Sequence, residues 1–89
     1  MTTYRFAVSV MPKEGILDPQ GRAVEASLGH LGLDGVLQVR VGRRVELSVE
    51  AADEAEARGV VERLAEGLLA NPLIERWSAE RVDAVGATA

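Results

Sequence analysis

The chain has no cysteine, which excludes disulfide staples, thiolate metal sites and a cysteine nucleophile and fits a reducing compartment. Aromatic residues are nearly as scarce, with one Tyr, one Phe and one Trp among 89 residues. That is too few for the stacking platforms on which sheet-based RNA readers hold bases. An excess of basic charge is also missing. The net charge of −4 argues against nucleic acid as a partner, because a surface that neutralises phosphates is usually basic. No apolar run approaches the roughly 18 residues of a membrane helix, and no basic and apolar leader follows Met1. The expectation is a cytoplasmic protein without a membrane partner.

What is present reads as one small domain over residues 1–85, with the small-residue tail 86–89 frayed. A chain this short buries only roughly 60 to 65% of its unfolded surface, so association would help it. In "YRFAVSVM", Tyr4, Phe6, Val8 and Val10 alternate with Arg5, Ala7, Ser9 and Met11. This is a strand with one apolar face, ended by Pro12. "ILDPQG" then sets Asp18 to cap a helix whose first residue is Pro19. Val24, Leu28 and Leu31 make its stripe, and Gly32 its stop, so the helix spans 18–31. Gly21 falls in its first turn, where glycine is costly. Either a neighbouring segment packs too close for a side chain, or a partner or ligand approaches the backbone there.

"VLQVRVGRRVELSVE" predicts a hairpin, with strands at 36–41 and 44–50 joined by Gly42 and Arg43 in a type II′ turn. Asp53 and Glu56 open a second helix as a capping box, and Ala57, Val60, Val61, Leu64 and Leu68 form its stripe. "ANP" stops it, and a last strand runs from about Leu73 to Val82. The order βαββαβ predicts an α+β, ferredoxin-like sandwich: four antiparallel strands with both helices on one face. The other face would carry Ala7, Ser9 and Met11, with Ile74 and Val82 opposite Trp77 and Ala79 on the last strand. Such a face, small and apolar rather than charged, points to a homo-oligomer formed through the sheet or its edge.

The chain offers little for chemistry. His30 lacks a convincing metal-ligating neighbour. Glu54, Glu56, Glu62 and Glu66 read as a solvated helix face with Arg58 and Arg63. Ser9, Ser27, Ser48 and Ser78 lack a nucleophile-elbow context, and neither GxGxxG nor GxxxxGK occurs. No catalytic, cofactor or metal residue is expected.

Three segments in order, "ILDPQGRAV" at 16–24, "VRVGRRVEL" at 39–47 and "LLANPLIE" at 68–75, together resemble the PurS family, the small subunits of bacterial and archaeal phosphoribosylformylglycinamidine synthase. The resemblance spans nearly the whole chain. It implies a complex with a glutaminase subunit (PurQ) and an ATP-dependent synthetase subunit (PurL), the latter carrying ATP and magnesium. Such a complex turns formylglycinamide ribonucleotide, ATP and glutamine into formylglycinamidine ribonucleotide, ADP, phosphate and glutamate in purine biosynthesis. The small subunit, a homodimer or tetramer without catalytic residues, would bridge the other two and assist ammonia transfer. Asp18, Gln20, Gly21 and Arg22, presented with an exposed Gly21 backbone, and Gly42, Arg43 and Arg44 at the hairpin turn are the docking candidates. The rival reading is a stand-alone regulatory module of the same fold, binding an effector at a dimer interface near Gly15 and Asp18. A structural homo-oligomer with no other partner is a third.

Overall fold

Alternation along the first strand decides where the core lies. The computed structural model describes residues 1–82, so the expected tail at 86–89 and the domain limit at 85 lie outside the described residues. Strand β1 (Thr2–Pro12) is central, flanked by β2 (Arg43–Ala51) and β3 (Glu75–Arg81), both antiparallel to it. Phe6, Val8 and Val10 point to one face and are at most 1% exposed. Helix α2 (Glu54–Leu64) lies over that face and contributes Ala57 and Val61, while Val49 and Ala51 of β2, with Ala65 and Ala70 beyond the helix, add to the core. Burying Phe6 or Val61 is worth roughly 1.5–3 kcal/mol each. The guanidinium of Arg58 sits 5.3 Å from the Phe6 ring centroid and covers the edge of this layer.

Both helix starts agree with the sequence pattern. Asp53 accepts a hydrogen bond from the Glu56 N–H at 2.8 Å, and the Glu56 carboxylate reaches back to the Ala52 N–H. Asp18 accepts from the Gly21 N–H at 3.0 Å to open α1 (Pro19–Ser27). A 3₁₀ turn, Leu28–Leu31, continues α1 and ends at Gly32 in the left-handed region with φ 71°.

Three expectations are corrected. Among the described residues the sheet has three strands and not the expected four, because the hairpin is open. Gly42 does not take the positive φ that a type II′ turn demands at its first central residue. It runs straight into β2, and residues 36–41 extend β2 beyond the sheet instead of folding back along it. Within that segment Gln38 has φ 56°, a left-handed conformation that interrupts a regular strand.

The two helices do not share the sheet face either. Helix α2 packs on β1 and β2, whereas α1 packs mainly on its own 3₁₀ continuation and on the 39–41 segment. Val24 and Leu31 of its stripe are therefore exposed, and the radius of gyration is 16.6 Å, against about 12 Å for a compact chain of this length.

The last strand begins at Glu75, with Leu73 and Ile74 in the preceding turn. Only Trp77 and Ala79 pack against the core; Arg76, Ser78 and Glu80 are exposed on the other face. That outer face is also more charged than expected, since Arg44 bridges Glu46 and Glu80 across it.

Candidate functional site

Asp18 is the residue around which the opening stretch is organised. One carboxylate oxygen caps α1 through Gly21, and the other accepts from the Val41 N–H at 2.9 Å. Glu25, further along α1, accepts from the Val39 N–H at 2.7 Å. The carboxylates of the α1 cap and of Glu25 on the helix thus replace the ladder partners of two extended residues, satisfying backbone donors that would otherwise be orphaned. The hydrogen bonds from Gly21 and Val41 hold the Asp18 carboxyl below its ordinary value. The same segment is tied down by the Arg40 guanidinium, which donates to the Pro12 carbonyl.

This arrangement explains Gly21. It is buried, and a methyl group there would collide with the Val39 carbonyl and the Asp18 carboxylate. The expected exposed backbone is not present: the missing side chain serves the chain's own packing. Gly42 is likewise pressed against the Val10 carbonyl and the Met11 sulfur, so its need is close approach and not a turn.

The seven docking candidates separate into distinct places. Asp18, Gln20, Gly42 and Arg43 line a cleft of about 530 Å³ between α1 and the end of the sheet, with Ile16, Leu17, Ile74 and Glu75. Arg22 lines a second cleft of about 530 Å³ beyond the 13–18 loop, with Glu14, Glu25 and Arg40, and Asp18 borders this cleft as well. Arg44 stands on the outer face of the sheet, paired with Glu46 and Glu80, and touches neither cleft. Gly21 is enclosed between α1 and residue 39.

Arg43 is fixed by a two-pronged contact with Glu75, at 2.9 and 3.0 Å, and by the Leu69 carbonyl. The Arg43 hydrogen bond, followed by one from the Asn71 N–H, lowers the Glu75 pKa. Sequence reasoning missed Glu75 and the apolar wall of the cleft. The Ile16–Leu17 pair was a usable signal, because two large apolar residues in a loop seldom face water without cause; Glu75 carried none. Leu17 and Leu73 are 71% and 82% exposed.

Among the described residues, no group of three or more His, Asp or Glu side chains could hold a metal ion, and no helix is long and apolar enough to cross a membrane. The clefts themselves are lined by the apolar Ile16 and Leu17 together with members of the Arg43–Glu75 and Arg40–Glu14 ion pairs.

Comparison with known proteins gives the same family throughout. Residues 5–83 match the family model PurS, phosphoribosylformylglycinamidine (FGAM) synthase. The phosphoribosylformylglycinamidine synthase subunit PurS of Mycobacterium leprae is 44% identical over 78 residues, covering 86% of this chain and 94% of that one. The corresponding subunit of Synechocystis is 42% identical, with 88% of this chain and 78% of the other covered. In the solved structure of PurLQS from Thermotoga maritima, one chain superposes with a TM-score of 0.84 at 29% identity, covering 92% of this chain and 100% of that one.

Proposed function

The chain belongs to the PurS family of phosphoribosylformylglycinamidine synthase subunits, and from that premise we propose that it couples a glutaminase subunit to a synthetase subunit without performing chemistry itself. The likeness over nearly its whole length to a chain of PurLQS carries this reading. The partners are a PurQ-type glutaminase and a PurL-type synthetase, which carries ATP and magnesium, in the cytoplasm. Ammonia released from glutamine must reach the activated amide before water protonates and disperses it, so a subunit that holds the two sites together raises the yield of the glutamine-driven reaction.

A role without catalysis is supported by the use made of the two perturbed carboxylates. Asp18 and Glu75 are both committed to backbone and arginine partners that hold the fold. Docking falls to the exposed side chains of the predicted set, Gln20 and Arg43 at the first cleft, Arg22 at the second and Arg44 on the outer face of the sheet, with Ile16 and Leu17 as apolar contacts. Gly21 and Gly42 act by shaping these surfaces. The exposed stripe of α1 and the open edge of β2 favour self-association, as a homodimer or a dimer of dimers.

The test is formylglycinamidine ribonucleotide synthesis by the two larger subunits with and without the chain. Glutamine-driven synthesis should require it, while synthesis driven by added ammonium should survive its omission. Equal glutamine-driven rates in both mixtures would remove the coupling role.

A further inference from the structure

The end of α2 is held by two residues from distant parts of the chain. A π turn, Ala65–Leu69, continues the helix and is closed by the Ala70 N–H to the Ala65 carbonyl. The Arg43 guanidinium donates to the Leu69 carbonyl at the end of that turn and forks onto both Glu75 oxygens. One of those oxygens also accepts from the Asn71 N–H at 2.8 Å. A cation at a helix C-terminus suits carbonyls that have no partner within the helix. Returning the turn to the regular repeat would swing the Leu69 carbonyl by roughly 70°, away from a guanidinium that Glu75 fixes in place.

The sequence supplies a leucine for either geometry. A regular helix would carry the core stripe of Ala57 and Val61 on to Leu68, whereas the π turn delivers Leu69 to the core and leaves Leu68 75% exposed. Each register buries one leucine and gives the Ala70 N–H one carbonyl, so these contributions nearly cancel and a contact from outside the helix decides between them. Gly67 lies inside the turn, and a β-carbon there would meet nothing within 4 Å. Packing therefore does not require this glycine, which loosens the helix where the register changes. We propose that Arg43 and Glu75 form a latch that holds the end of α2 in the π register, and that opening the latch exchanges Leu69 for Leu68 in the core.

The latch has a second exposure. Arg43 and Glu75 both line the first cleft, and the Arg43 side chain is half-exposed. A carboxylate entering the cleft competes with Glu75 for the guanidinium fork, and so acts on the apolar surface that Leu68 presents. Use of that coupling by a docking subunit rests on the docking proposed above; the latch itself is a property of the free chain.

Nuclear magnetic resonance of the isotopically labelled full chain reads the register directly. Couplings across hydrogen bonds identify the carbonyl that the Ala70 N–H meets, Ala65 in the π register and Glu66 in the regular one. Methyl cross-peaks identify which leucine lies against the buried valines, and saturation-transfer spectra follow the minor register. The natural chain should show the Ala65 partner and Leu69 in the core. Arg43→Gln should raise the population of the regular register roughly tenfold, the factor carried by one charge-assisted hydrogen bond, with Leu68 taking over the valine contacts. A folded Arg43→Gln chain whose register is unchanged overturns the latch. Glu75→Gln gives an independent reading should Arg43→Gln fail to fold: the same shift is expected, and an unchanged register overturns the latch. Neither overturning result touches the docking role, which the glutamine-driven synthesis tests separately.

Discussion

Gly21 shows how much a single missing methyl group can matter. A β-carbon there would enter space held by the Val39 carbonyl and the Asp18 carboxylate, on residues that hydrogen bonds fix in place. Overpacking of this kind costs roughly 1–3 kcal/mol. Gly21→Ala should therefore lower the urea midpoint followed by circular dichroism. Gly29→Ala, where an added methyl meets nothing within 4 Å, should leave it unchanged or slightly higher. Similar midpoints for the two variants would remove the close-approach account. The need for glycine was legible in the sequence, since a first-turn glycine after Asp-Pro has no helical advantage. Close packing of a neighbouring segment was one of its two readings and is the one the structure shows; which segment was not legible, because Val39 lies far along the chain and only folding brings it close.

At the scale of elements, the second helix shows a periodic pattern overtaken by local geometry. The sequence stripe ends in Leu68, and an ideal 3.6-residue repeat would bury it. Instead the helix widens into a π turn at Ala65–Leu69, closed by the Ala70 N–H to the Ala65 carbonyl at 2.9 Å. A π turn inserts one extra residue and so shifts the face on which later side chains fall. Leu69 consequently packs on the core and Leu68 is 75% exposed. Leu69→Ala should cost about 2 kcal/mol or more, whereas Leu68→Ala should stay within about 0.5 kcal/mol, both read from urea unfolding of the free chain. The reverse order would show that the helix keeps its regular repeat in solution. Capping was legible throughout, at Asp18, Asp53 and Gly32, because a cap depends on residues within one turn of each other.

For the whole molecule, the open segment between α1 and β2 decides that α1 stands away from the sheet and that the outer edge of β2 stays uncovered among the described residues. The direct path through Gly42 leaves no slack to reverse the chain while Asp18, Glu25 and Arg40 hold residues 39–41 in line with the end of β1. Inserting Asn-Gly between Gly42 and Arg43 supplies a turn able to close the hairpin and so to cover the β2 edge on which the proposed self-association rests. The sedimenting mass should fall toward that of one chain; an unchanged mass would mean that the hinge length does not control assembly. By itself the sequence determined the three sheet strands, both helix starts, the polar and apolar alternation and the family, because these rest on neighbours within a few residues or on a pattern carried along the chain. Only the tertiary structure decided that the hairpin stays open, that α1 leaves the sheet, and that the docking candidates divide between two clefts and the outer face. Each of those outcomes depends on carboxylates and carbonyls distant in sequence competing for the same backbone groups, and that competition has no local signature.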